Sequence, residues 1–157
     1  MVDHLMDTQA EQWFDGVYLL GRFNALRTGS WLLVHGAEGA ILEMPPHDPG
    51  EPSTAEIATH EVKARGLSVK FLLCTHAHGD HFCPRTLAEL LRFFPAATVV
   101  LHRGFEPYLE KTTPVRYFQN ELELRLGGEL LFLVWALALE QGTIIAEEEM
   151  VCPADFD

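Results

Sequence analysis

The stretch FLLCTHAHGDHFCP, Phe71 to Pro84, constrains this chain more than any other, because three histidines and an aspartate fall within six residues directly behind an apolar run. The residues before it, LSVKFLL, are β-branched and apolar enough for a buried strand. Those after it, PRTLAELLRFF, put Leu87, Leu90, Leu91 and Phe94 on one stripe behind a proline suited to the first position of a helix. The cluster is therefore expected in a loop that leaves the carboxyl end of a buried strand, where open α/β sheets gather their ligands.

The spacing within that loop suggests metal chemistry. His76 and His78 are two apart, so an extended or tightly looped backbone sends both imidazoles to the same side, where they can grip one ion. Asp80 and His81 follow and can serve a second ion nearby, as two-metal hydrolytic sites require. Gly79 is expected to let the backbone bend sharply between the two pairs. A lone histidine in a loop is ordinarily a solvated side chain; four ligand-type residues at a strand end favour a site.

The rest of the chain reads as an α/β layout with mixed strand directions. GVYLL, WLLVHG and AILEM form an antiparallel opening, and PPHDPGEP breaks it with prolines that cannot continue a ladder. In STAEIATHEVKARG, Ser53 and Glu56 have the spacing of a capping box and Gly66 stands where a helix stops. ATVVLH, ELELRL and ELLFLVWALAL add strand signals, with a looser GFEPYLEKTTP between the first two. GTIIAEEEMVCPADFD reads as two short strands about an acidic, solvated turn.

Composition limits the partners. With 157 residues, 48% of them hydrophobic, one domain over residues 1–157 is expected. A net charge of -12 with only 11 Lys and Arg argues against nucleic acid, whose phosphates need many basic contacts. The three cysteines form no CxxC pair, which argues against a disulfide framework and fits a reducing cytoplasm. MVDHLMDTQAEQW is too acidic for a secretion signal and LLFLVWALAL too short to span a bilayer, so no membrane association is expected. Cys74, ending an apolar run, and Trp13, Trp31 and Trp135, spread over separate segments, read as core; Cys83 reads as more exposed. His35, His47, His60 and His102 read as solvated or capping residues rather than ligands.

The motif THAHGDH matches the HxHxDH signature of the metallo-β-lactamase superfamily, the αββα metallohydrolases that include glyoxalase II. ILEMPP is similar to the family's strand near the first turn, and EVKARGLSVKFLLC to the helix and strand leading into its metal loop; the resemblance runs from about Trp13 to the end. It implies an αββα sandwich and a hydrolase of an ester, thioester, lactone or amide that works through metal-activated water on a small-molecule substrate. One or two zinc ions are implied, with iron or manganese as alternatives. His76 and His78 would hold the first metal, Asp80 and His81 the second, and Asp80 would orient or deprotonate the water. Ala77 disfavours the flavodiiron branch, which carries a glutamate ligand in that motif region.

Farther on, the chain departs from the family pattern. LALEQG matches the family's third-histidine loop with Leu139 in the histidine's place, while VCPADFD places Asp155 as the bridging aspartate; the last histidine ligand falls beyond Asp157. The resemblance thus implies a domain short at its C-terminus, with the second half of the sandwich incomplete. A strand edge left uncovered in this way would drive homo-oligomer formation. A non-catalytic metal-binding or structural member of the same fold is the alternative.

Overall fold

In STAEIATHEVKARG the local rules act as the sequence suggests. The computed structural model describes residues 10–134, and helix α1 spans Thr54–Arg65. The Ser53 hydroxyl accepts from the Glu56 amide at 3.1 Å while the Glu56 carboxylate accepts from the Ser53 amide at 2.9 Å, closing the capping box. At the other end Gly66 takes a left-handed φ of 66°, which ends the helix at no steric cost. Asp155, Leu139, Trp135, Cys152 and the AEEEM run lie outside the described residues.

Seven strands form one sheet in chain order: β1 (Glu11–Phe14), β2 (Val17–Phe23), β3 (Thr28–His35), β4 (Glu38–Leu42), β5 (Ser68–Leu73), β6 (Thr98–His102) and β7 (Val115–Phe118). The first four run antiparallel, and β4 through β7 run parallel. Parallel neighbours need crossovers. Here α1 connects β4 to β5, helix α2 (Pro84–Phe93) connects β5 to β6, and a 3-10 turn, Arg103–Tyr108, leads towards β7. The edge strands β1 and β7 go beyond the sequence reading. Each is four residues long, and neither shows a clean burial alternation that would have marked it.

The two faces of the sheet are covered differently. On one face Leu32, Ile41, Leu72 and Val99 pack against Ala55, Ala58, Leu87 and Leu90 of the two helices. On the other, Ala40, Leu73 and Val100 meet Leu124 and Leu126 of a separate two-stranded sheet, β8 (Glu121–Leu126) with β9 (Glu129–Val134). The layers therefore run helices, large sheet, small sheet, in agreement with the expected α/β sandwich, with the hairpin as second sheet among the described residues. Gly127 lets the hairpin turn approach the end of β3. Its φ is 57°, and a Cβ there would stand 2.1 Å from the His35 carbonyl oxygen. Among the described residues no helix is long and apolar enough to cross a membrane.

The end of β4 prepares the site. Glu43 leaves the strand with a φ of 79°, a left-handed conformation costly for a residue with a side chain. Met44 then pairs with Phe82 as an isolated parallel bridge; its amide donates to the His81 carbonyl at 3.0 Å, and the Cys83 amide donates back to its own at 2.8 Å. The histidine loop is thereby fastened at its far end to the continuation of β4.

Candidate metal centre

The loop from Cys74 to Cys83 leaves β5 and enters α2, as the sequence suggested. It turns because the amides of His81 and Phe82 both donate to the His78 carbonyl, at 2.9 and 2.8 Å. Gly79 was expected to supply the bend through its conformational freedom, but it stays outside the left-handed region and a Cβ there would meet nothing within 4 Å. The turn's own hydrogen bonds make the bend, and they constrain residue 79 little.

The structure brings His76, His78, Asp80 and His81 together. The rings of His76 and His78 lie 4.5 Å apart and nearly perpendicular, and those of His76 and His81 4.2 Å apart. His76 and His78 are buried. His81 Nε2 stands 3.4 Å from Asp80 Oδ2, which also accepts from the Thr28 hydroxyl at 3.4 Å. Asp155, the fifth residue expected here, lies outside the described residues.

Glu43 is the residue that sequence reading missed. Its carboxylate is buried and serves as a hub for the loop: Oε2 accepts a short hydrogen bond from the Thr75 hydroxyl, Oε1 accepts from the Cys74 thiol at 3.1 Å, and Oε1 lies 3.4 Å from His81 Nδ1. A signal existed, since an acidic residue inside the otherwise apolar ILEM run is out of place in a core. Its partners, however, lie 31 and more residues along the chain.

Those contacts assign a proton. The Thr75 hydroxyl has a single hydrogen and gives it to Glu43, so at 2.8 Å from His76 Nδ1 its oxygen acts as acceptor. Neutral His76 then carries its proton on Nδ1 and its electron pair on Nε2, the form a metal ligand needs. Cys74 packs against the core as expected and in addition donates to Glu43. Burial pushes its thiol well above the ordinary range, and the nearby Glu43 carboxylate adds to the shift, so it remains a protonated donor rather than a nucleophile. Cys83 is half-buried and occupies the N-cap position of α2.

The chemistry of these donors suits a divalent cation: imidazoles beside a carboxylate whose Oδ1 is buried with no hydrogen-bond partner among the described residues. Their arrangement is looser than their chemistry. Among the described residues no group of three or more His, Cys, Asp or Glu side chains is placed so as to hold an ion.

The other histidines behave as expected. His102 is buried, but its Nε2 donates to the Gln119 carbonyl at 2.8 Å and its Nδ1 accepts from the Gly104 amide at 2.9 Å, so it caps the 3-10 turn. His35 and His47 are exposed and His60 lies half-exposed on α1. Two of the tryptophans differ from their reading as core. Trp13 is 47% exposed and stacks edge-on against Trp31 at 5.1 Å, and together they wall a cleft of about 280 Å³ that reaches Glu43, Thr75 and His81.

No family model matches the sequence. Over 100 residues, covering 64% of this chain and 26% of the relative, it is 29% identical to an atrochrysone carboxyl ACP thioesterase of Passalora fulva. The structure is similar to the BLEG-1 B3 metallo-beta-lactamase, with a TM-score of 0.53 and 22% identity over 73% of this chain and 58% of that one. It is also similar to BJP-1, a subclass B3 metallo-beta-lactamase of Bradyrhizobium japonicum, with a TM-score of 0.57 and 18% identity over 79% of this chain and 50% of that one. The chain has the metallo-β-lactamase fold, and it spans between 50% and 58% of the length of these two structures.

Proposed function

We propose that the chain is a metal-dependent hydrolase of an ester, thioester, lactone or amide. The observation that carries this reading is the convergence of His76, His78, Asp80 and His81 on one loop, with Glu43 and Thr75 fixing the His76 tautomer. His76 and His78 would hold a first ion and Asp80 with His81 a second, zinc before iron or manganese. When bound, such an ion would polarise the scissile carbonyl and lower the pKa of a water. Asp80 would orient that water and take its proton, since its Oδ2 is already positioned by Thr28 and His81. Glu43 would keep His76 in its ligating tautomer and steady His81. The cleft beside His81, about 280 Å³, supports a small-molecule substrate, and the relative named as a thioesterase favours a thioester.

Among the described residues the converging donors do not form a group of three placed to hold an ion, which favours a second reading, a metal-binding member of the fold that does not turn over. Hydrolysis of a short acyl thioester separates the two. Turnover that a chelator abolishes and zinc restores is the expected result; no turnover with zinc supplied would leave the non-catalytic reading.

A further inference from the structure

The cleft beside the histidine loop has a chemical polarity of its own. Its floor is the face of β2 and β3 that is not covered by the helices, and an irregularity in β2 creates it. Leu19 pairs with Trp31 and Arg22 with Gly29, although Leu19 and Arg22 are three residues apart. On a regular strand they would point to opposite faces. The register shift between Leu19 and Gly21 turns Arg22 to the Trp31 face, as bulges beside binding sites do. Gly29 keeps the floor open, since a Cβ there would come within 3.3 Å of both the Leu19 side chain and the Trp31 indole nitrogen.

Charged groups of both signs line the cleft. Glu43 and His81 stand at the loop end. Arg22 and Arg27 line the same cleft, and Arg27 immediately precedes Thr28, whose hydroxyl reaches Asp80. Two arginines in one cleft matter in a chain with a net charge of -12 and only 11 basic residues. Among the described residues no ion pair takes up either guanidinium, whereas Arg65 and Arg103 are both held by glutamates. Glu51 feels the Arg27 charge but answers chiefly to the amides of Asp48 and Asn24. Trp13 and Trp31 add flat apolar walls to the cleft.

We propose that this cleft binds the substrate as a small anionic acyl compound with a flat apolar body. Its carboxylate is held by Arg22 and Arg27, its body lies against Trp13 and Trp31, and its reacting carbonyl faces His81. This rests on the hydrolase reading for the reacting end alone. The anion preference stands on the arginines, so it can be tested by binding, without turnover.

The experiment is calorimetric titration of the purified full chain with 4-phenylbutyrate and with its neutral counterpart 4-phenylbutanamide, in the presence and absence of a chelator. The carboxylate should bind about tenfold or more tightly than the amide in both conditions, as a charge-assisted contact predicts. In the Arg22→Gln, Arg27→Gln double variant, whose substitutions fall on exposed side chains, that preference should fall to about twofold or less. Equal affinities in the wild type, no measurable binding of the carboxylate, or a preference that survives the double substitution would each overturn the proposal. A carboxylate bound through a metal alone would lose its preference with chelator and keep it in the double variant. A chain that hydrolyses nothing yet shows the arginine-dependent preference would contradict only the hydrolase reading.

Discussion

His102 and His78 end up equally buried, each 8% exposed, at the carboxyl ends of neighbouring parallel strands, yet their surroundings give them different work. Both ring nitrogens of His102 are engaged by local backbone, the Gln119 carbonyl on one side and the Gly104 amide on the other, so its imidazole is a structural pin. In the loop after β5 the His78 ring lies 4.5 Å from that of His76, which in turn lies 4.2 Å from that of His81, where the Glu43 and Asp80 carboxylates stand. Burial alone does not mark a functional histidine. What distinguishes the two regions is whether backbone or other titratable side chains surround the ring.

Substitutions should separate the two regions by kind of effect. The largest is expected at Asp80: Asp80→Asn should lower kcat for thioester hydrolysis by about a hundredfold or more, the range of a lost general base, with little change in melting temperature. An unchanged kcat would remove Asp80 from the chemistry. Next is Glu43→Gln, which weakens the acceptor that orients Thr75, Cys74 and His81. Metal affinity in a chelator competition should drop by about 10- to 100-fold, as losses of groups supporting metal ligands do. Equal affinities would make Glu43 a fold residue only.

His102→Leu should act in the opposite way. It leaves the Gln119 carbonyl and Gly104 amide without their partner and should cost about 1–3 kcal/mol in denaturant unfolding, with metal content unchanged. The smallest effect is on pH dependence. Burial holds His102 below its ordinary value of 6.5, with the nearby Arg103 charge lowering it further against a rise from Gln119. Between the folded and unfolded values the unfolded chain therefore binds more protons, and stability falls as pH drops below about 6.5. His102→Leu should flatten that part of the stability profile; an identical slope in both proteins would assign the acid sensitivity elsewhere.

Local chemistry was legible in the sequence, and long-range geometry was not. The Ser53–Glu56 capping box, the Gly66 stop and the Pro84 start lie within single turns, and each forms as read. The placement of the histidine loop was legible because a buried strand and an amphipathic helix flank it closely. β1 and β7 were missed because four residues at a sheet edge leave almost no periodic signal. Trp13 and Trp31 were read as core because nothing in their spacing shows that β1 would bring one against the other in an open cleft. Glu43 was missed for a similar reason: its left-handed backbone and its hold on Thr75 come from the meeting of β4 and β5, which are distant in sequence. The expectations at Leu139 and Asp155 fall outside the described residues.

The most direct test of the metal centre is metal content per chain, measured on protein purified without added metal and compared with the His76→Ala, His78→Ala double variant. About one or two divalent ions per wild-type chain and near none in the variant are expected from imidazole ligation at this loop. A wild-type protein free of metal, or a variant that keeps the wild-type stoichiometry, would contradict the assignment of these histidines.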